Sequence, residues 1–127
     1  MAKLTAEEEH ITESYILFEL ARKVLEKDLA KISQSPLKLK DPYIRLLDQT
    51  IYQLSKELYS VKAKMKNLGL KVQLNKHDET FSEYTIFFRG YVLTAKYLNA
   101  HLKNQVSTRI VQLFTGTEET KEPNFFS

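Results

Sequence analysis

Hydrophobic residues recur at helical spacing along most of the chain and divide it into three long segments. In the first segment, Thr5 and Glu8 match a capping box, in which each side chain binds the backbone N–H of the other at a helix start. The apolar stripe that follows predicts a helix over about residues 5–33. We expect this helix to end before Pro36, because proline disfavours the helical conformation of the residue before it.

The second segment has the most regular pattern in the chain. Asp41-Pro42 is a typical helix start, since aspartate can accept free N–H groups and proline in the first turn loses no hydrogen bond. The apolar residues that follow alternate three and four positions apart: Ile44, Leu47, Ile51, Leu54, Leu58, Val61, Met65 and Leu68. This heptad-like seam predicts a helix over residues 42–68, which Gly69 ends.

The third segment is preceded by a short alternation of apolar and polar residues. Leu70, Val72 and Leu74 alternate with polar neighbours, which predicts an extended segment. We interpret it as a linker across the end of a bundle; pairing with the same strand of a second subunit is the alternative. A capping pattern at Thr80 and a seam of aromatic and aliphatic residues then predict a third helix over residues 79–114.

Together these patterns predict an all-α fold. Three long helices with heptad-like seams form an up-down-up bundle, with coiled-coil contacts and the short extended segment between helices 2 and 3. Only three glycines and three prolines interrupt the chain, which favours long helices over a β fold rich in turns. We expect residues 1–116 to form a single domain and residues 117–127 to be a disordered tail.

Composition narrows the class of protein without defining an activity. The 127 residues include no cysteine, which excludes disulfides, thiolate metal sites and thiol nucleophiles and is compatible with a reducing compartment. No apolar run has the length of a membrane span, and the acidic start from Glu7 to Glu9 is unlike a signal peptide. We therefore predict a cytoplasmic protein that does not bind membranes.

An excess of apolar residues distinguishes the predicted third helix. Five of them lie outside its seam: Ile86, Phe87, Val92, Leu93 and Tyr97. Because the apolar stripe of an outer helix normally covers only part of its circumference, these residues predict a second interface, with another copy of the chain or with another protein. The alternative is that helix 3 is the central helix, flanked on two sides by helices 1 and 2.

Helix 2 carries the best candidate for a nucleic-acid contact. Basic and aromatic residues form one stripe outside its seam: Arg45, Tyr52, Lys56, Tyr59, Lys62 and Lys66. Residues 31–76 contain ten basic and three acidic side chains, although the net charge of the whole chain is only +3. Such a stripe can neutralise phosphates and stack on bases, but tyrosines and lysines also commonly line an exposed helix face.

Metal and catalytic motifs are weak. A Glu-x-x-His spacing occurs once, at Glu7 to His10, whereas a ferritin-like site needs a second such motif and further inward-facing glutamates. The three histidines, His10, His77 and His101, lie in separate elements, and no serine occupies a glycine-flanked turn. We predict no metal, cofactor, catalytic residue or small-molecule substrate.

Three parts of the chain carry a resemblance to known proteins. These are Ser35-Pro-Leu-Lys-Leu-Lys-Asp-Pro-Tyr43, the extended Leu70-Lys-Val and the aromatic segment with Phe88-Arg-Gly-Tyr91. Together with the heptad helix, they resemble small uncharacterised all-helical proteins of spore-forming Gram-positive bacteria and their phages, over most of residues 10–114. The resemblance implies a bacterial or phage origin and supplies no site residues.

The leading hypothesis is a non-enzymatic helical interaction or regulatory protein, a homodimer joined through helix 3. The alternative is a nucleic-acid-binding or transcription-associated regulator that uses the stripe on helix 2. The two hypotheses use different surfaces, so they can be tested separately.

Overall fold

A computed structural model describes residues 3–116, which contain three helices and three strands. In chain order these are α1 (Ala6–Ser33), α2 (Asp41–Leu68), β1 (Leu70–His77), β2 (Phe81–Phe88), β3 (Tyr91–Leu98) and α3 (Asn99–Thr115). The strands form one antiparallel sheet in the order β1-β2-β3. The fold is therefore α+β, and the predicted all-α helical bundle with coiled-coil contacts is wrong.

The main error lies in residues 81–98, which form a β-hairpin where a helix was predicted. β2 and β3 are joined by Arg89 and Gly90, which have positive φ angles of 46° and 80°. Two such residues form the type I′ turn that suits the twist of a two-residue hairpin, and a right-handed helix cannot continue through them. Only the C-terminal part of the predicted third helix is helical, as α3.

The alternation at Leu70, Val72 and Leu74 belongs to a strand of this sheet. β1 pairs with β2 of the same chain, with Leu70 opposite Phe88 and Val72 opposite Ile86. The linker interpretation is therefore wrong, because this segment pairs with β2 of the same chain; pairing with a second subunit stays a prediction. The linker was preferred because isolated strands are rare, but this strand is not isolated, since the hairpin supplies two more strands.

α1 and α2 form an antiparallel helical hairpin with two hydrophobic clusters along it. The first cluster joins the N-terminal half of α1 and the C-terminal half of α2 to the sheet and to the start of α3: Ile11, Ile16, Val61, Met65, Leu70, Val72, Tyr84, Ile86, Phe88 and Leu102. The second joins the other halves of the two helices to α3: Leu17, Ala21, Leu25, Leu47, Leu54 and Val106. The sheet therefore covers one end of the helical hairpin, and most of α3 covers the other.

Local signals at the ends of the first two helices are largely confirmed. Thr5 and Glu8 form the capping box, with N···O distances of 2.8 and 3.0 Å. Gly69 ends α2 in the left-handed conformation, with a φ of 66°. α2 begins at Asp41 itself, so that Lys40 occupies the N-cap position that was predicted for the aspartate.

Two further expectations concern larger parts of the chain. The predicted disordered tail, residues 117–127, lies outside the described residues, and the single domain over residues 1–116 stays a prediction. Within residues 3–116, no helix is both long enough and apolar enough to cross a membrane.

Candidate interaction surfaces

β3 is an outer strand of the sheet, and one of its edges has no strand partner within residues 3–116. In an antiparallel pair, residues that exchange both backbone hydrogen bonds with the opposite strand alternate with residues whose N–H and C=O groups point away. The two-residue turn makes Phe88 and Tyr91 a hydrogen-bonded pair. Thr80 and Asn99 form another pair of this kind, because the Asn99 N–H donates a 2.8 Å bond to the Thr80 carbonyl and an even number of positions separates the two pairs. The backbone groups that point to the free edge are those of Val92, Thr94, Lys96 and Leu98.

The side chains of β3 are apolar for an exposed edge. Tyr91, Val92 and Leu98 are 54%, 64% and 51% exposed, and Leu93 is 38% exposed. Lys96 is the one charged residue of the strand. Natural sheets normally protect such an edge with several charges, a proline or a covering element, so this edge is well suited to pairing with another chain.

The five predicted interface residues lie on two faces of the hairpin rather than on one face of a helix. Phe87 pairs with Val92, and Ile86 pairs with Leu93. Because successive side chains of a strand point to opposite faces, these two pairs face opposite ways. Ile86 is 1% exposed and belongs to the core, and Tyr97 is half-buried against it. The prediction of a single patch on one helix face is therefore wrong, and Phe87, Val92 and Leu93 remain accessible to a partner.

Arg89 fixes the tip of the hairpin to the N-terminus of α1. Its guanidinium forms an ion pair with the buried carboxylate of Glu8 at 2.5 Å and donates a hydrogen bond to the Lys3 carbonyl at 2.8 Å. The hydrogen bond from the Thr5 backbone N–H, and then the one from Arg89, lower the pKa of Glu8. Glu8 therefore stabilises both the helix start and the hairpin tip.

The other end of β3 lies close to carboxylates of α1. The Tyr97 ring meets the Tyr84 ring nearly edge-on, with the ring centroids 5.8 Å apart. Burial, and then the negative charges of Glu13 and Glu9, raise the pKa of Tyr97 to about 12. Burial, and then the charge of Glu9, raise the pKa of Glu13 to about 7. At pH 7 the helix surface beside this end of β3 therefore carries the charge of Glu9 and only part of that of Glu13.

The stripe predicted on the second helix is exposed along the whole of α2. Its six members are solvent-accessible side chains: Arg45, Tyr52, Lys56, Tyr59, Lys62 and Lys66. Tyr59 is 79% exposed, and the Lys56 ammonium lies 5.5 Å from the centre of the Tyr52 ring. Nucleic-acid binding by these residues stays a prediction.

A groove between the C-terminal end of α2 and β1 extends this stripe. The groove has a volume of about 420 Å³, and its polar lining comes from Lys62 and Lys66 of α2, Lys71 and Gln73 of β1, and Tyr15 of α1. Sequence reasoning missed Lys71, because the segment that carries it was interpreted as a linker with no fixed position beside the helix. The alternation of apolar and polar residues in that segment was the available signal.

The Glu-x-x-His spacing at Glu7 to His10 lies in the first turns of α1. Nowhere in residues 3–116 do three histidine, aspartate or glutamate side chains come together as a metal-ligand set. Glu8, which lies between the two residues of that spacing, is bound by Arg89. The described side chains therefore give no metal centre from which a reaction can be derived.

Within residues 3–116, three helices and a three-stranded antiparallel sheet define an α+β fold with an open sheet edge and a basic helix face. The YhjD protein family matches residues 3–118, and the chain belongs to this family. An uncharacterised YhjD protein of Bacillus subtilis (strain 168) is 30% identical over 107 residues, which cover 84% of this chain and 89% of that protein. No solved structure matches the chain.

These relatives support the resemblance to uncharacterised proteins of Gram-positive bacteria. The all-helical part of that resemblance is wrong, since the chain contains a sheet. The relation to phage proteins stays a prediction. Function has to be argued from the surfaces of the protein itself.

Proposed function

We propose that this protein is a non-enzymatic interaction protein that self-associates by pairing β3 of one copy with β3 of a second copy. The observation that carries the proposal is the edge of β3 that has no strand partner among residues 3–116, where outward-pointing backbone groups coincide with exposed apolar side chains. A strand added to such an edge bonds to the backbone groups and covers the side chains. Two-fold pairing joins the two sheets into one sheet of six strands.

Side-chain chemistry favours an antiparallel register centred on Ala95. This register sets Val92 opposite Leu98 of the partner subunit, and Leu93 opposite the partner subunit's Tyr97. Apolar residues therefore meet apolar residues on both faces of the sheet, which stabilises cross-strand pairs. Because the strand complements itself in this way, a second copy is a better partner than an unrelated strand.

Charge and backbone phase agree with the same register. Thr94 faces the partner's Lys96, and both residues direct their backbone groups to the free edge, as a hydrogen-bonded pair requires. A register centred on Lys96 instead sets two lysines opposite each other, which is destabilising. The single charge of the strand thus selects among registers without blocking pairing.

Light scattering of the full chain over a concentration series tests the proposal. We expect the parent to pass from monomer to dimer, and Val92→Lys to raise the dissociation constant by at least about tenfold, which corresponds to 1.4 kcal/mol. Val111→Lys, which changes an exposed valine of α3, is the matched control. A parent that stays monomeric at high micromolar concentration contradicts the proposal, as does an equal effect of the two variants.

Thr94→Pro tests the backbone contribution separately. It removes an N–H that points to the free edge, a position where proline is tolerated in an edge strand. We expect loss of the dimer with circular dichroism close to that of the parent. Leu93→Pro removes an N–H that bonds to β2, and we expect it to disrupt the hairpin. Survival of the dimer in a folded Thr94→Pro protein argues against edge pairing.

We assign the protein to the cytoplasm, because its cysteine-free composition is compatible with a reducing compartment. Fractionation of cells that express the full chain tests this assignment. Recovery in the membrane or secreted fraction contradicts it.

A further inference from the structure

The groove between α2 and β1 concentrates positive charge from two elements. Its charged lining residues are all lysines: Lys62, Lys66 and Lys71. Lys62 and Lys66 lie one helical turn apart, which corresponds to a rise of about 6 Å. Three ammonium groups around one groove attract a ligand with several negative charges in a row, rather than a single small anion.

Aromatic rings continue from the groove along α2. Tyr59 and Tyr52 lie one and two heptads before Lys66, on the same stripe, and both are largely exposed. Neither ring contributes to the two hydrophobic clusters of the fold. Lys56 lies between them and approaches the Tyr52 ring. Basic groups and exposed aromatic rings therefore alternate along one side of the helix.

We infer that this surface binds single-stranded nucleic acid, with phosphates in the lysine groove and bases stacked on the two tyrosines. Single strands offer both chemistries at once, because their bases are free to stack and their backbone carries regular negative charge. A duplex hides its base faces, and an acidic peptide has no regular set of planar groups for the rings. The binding surface is separate from β3, so this inference does not depend on the proposed dimer.

Charge on the other side of the molecule supports the location. Glu9 and Glu13 lie close to β3, where they raise the pKa of Tyr97. A polyanion is therefore attracted to the groove beside β1 rather than to that side. The small net charge of the whole chain therefore includes a local excess of positive charge at the groove.

Fluorescence anisotropy with a labelled mixed-sequence 20-nucleotide DNA strand tests the inference on the full chain. The triple variant Lys62→Gln, Lys66→Gln, Lys71→Gln is compared with Lys27→Gln, Lys38→Gln, Lys103→Gln, which removes the same charge from exposed lysines outside the groove. At about 50 mM salt, we expect the groove variant to bind at least about tenfold more weakly than the control. The slope of log affinity against log salt concentration should fall in magnitude by about two in the groove variant.

Stacking is tested by Tyr59→Leu, a change at a side chain so exposed that the fold is unaffected. We expect it to weaken binding of the single strand by about fivefold or more, and to leave weak duplex binding unchanged. Three results overturn the inference: a parent that does not bind at low salt, equal losses in the two triple variants, or displacement of DNA by polyglutamate of equal charge concentration. The last result assigns the groove to acidic polypeptides.

Discussion

β1 and β3 are the two outer strands of one sheet, yet they differ in how much of their inner face is covered. In the row of Val72, Ile86 and Leu93, which crosses all three strands, the exposed fractions are 6%, 1% and 38%. The helical hairpin covers β1 and β2, whereas part of β3 extends beyond it. Similar apolar side chains therefore build a core in one outer strand and leave an open surface in the other.

The two outer strands also differ in the charged residues that lie beside them. β1 carries Lys71 beside the lysines of α2, whereas β3 lies near Glu9 and Glu13 of α1. The surface that we assign to phosphates and the surface that we assign to a second copy are therefore distinct. Each can be changed without altering the other, and the following predictions use that separation.

The largest expected difference is between two residues that are paired across the hairpin. Ile86→Ala should lower the free energy of unfolding by about 2–5 kcal/mol, because it removes buried methyl groups from the core. Leu93→Ala should lower it by less than about 1 kcal/mol in dilute protein, where β3 is unpaired. Urea unfolding of both variants measures the difference. Equal losses mean that β3 is as well covered as β2, and the comparison fails.

Glu8 tests how firmly the hairpin tip is fixed to α1. Glu8→Gln should lower the free energy of unfolding by about 1–3 kcal/mol at pH 7, because Arg89 loses its charged partner. Since folding lowers the pKa of Glu8, the carboxylate stabilises the protein above its unfolded-state pKa, and this contribution is lost as pH falls.

Urea unfolding of Glu8→Gln at pH 7 and at pH 3 checks that linkage, with the exposed neighbour Glu7→Gln as control. The difference between the parent and Glu8→Gln should be smaller at pH 3. A difference that persists unchanged at pH 3 argues against a charged role for Glu8.

Glu13 has a pH-dependent effect of the opposite sign, which solvent screening of its half-buried carboxylate reduces. Burial and Glu9 raise its folded-state pKa to about 7, so the folded protein keeps a proton that the unfolded chain has released. Its contribution therefore makes stability fall as pH rises from about 4.5 to about 7, and then level off. Glu13→Gln should reduce this fall in urea midpoints measured from pH 5 to pH 8, whereas Glu26→Gln, exposed on the same helix, should not. Parallel curves for all three proteins contradict the assignment.

The helices that local signals define were predictable, and the hairpin was not. Thr5 with Glu8, and Gly69, act through hydrogen bonds and backbone angles within a few residues, so sequence alone located α1 and α2. From Phe81 to Leu98 apolar residues are so frequent that they satisfy helical and strand periods alike. The deciding feature was Arg89-Gly90, whose type I′ turn depends on two positive φ angles that the apolar pattern does not show.

Each candidate surface was as predictable from the sequence as the helix or strand that carries it. The exposed stripe from Arg45 to Lys66 depends only on the helical period of α2, which was predicted. The faces of Ile86, Phe87 and their neighbours depend on a period of two, so the helical prediction gave them the wrong grouping. Lys71 joins the groove through the tertiary position of β1; the alternation in that segment indicates a strand but not its place beside α2.

A cysteine cross-link gives the most direct test of β3 pairing. The chain has no cysteine, and a register centred on Ala95 brings this residue opposite itself as a non-hydrogen-bonded pair, with Cα atoms about 4.5 Å apart. That distance suits a disulfide. Under mild oxidation at a concentration where the parent is dimeric, Ala95→Cys should give a covalent dimer that reductant reverses, while Ala63→Cys on α2 stays largely monomeric. Equal cross-linking of the two variants, or none at Ala95→Cys, contradicts the proposed pairing.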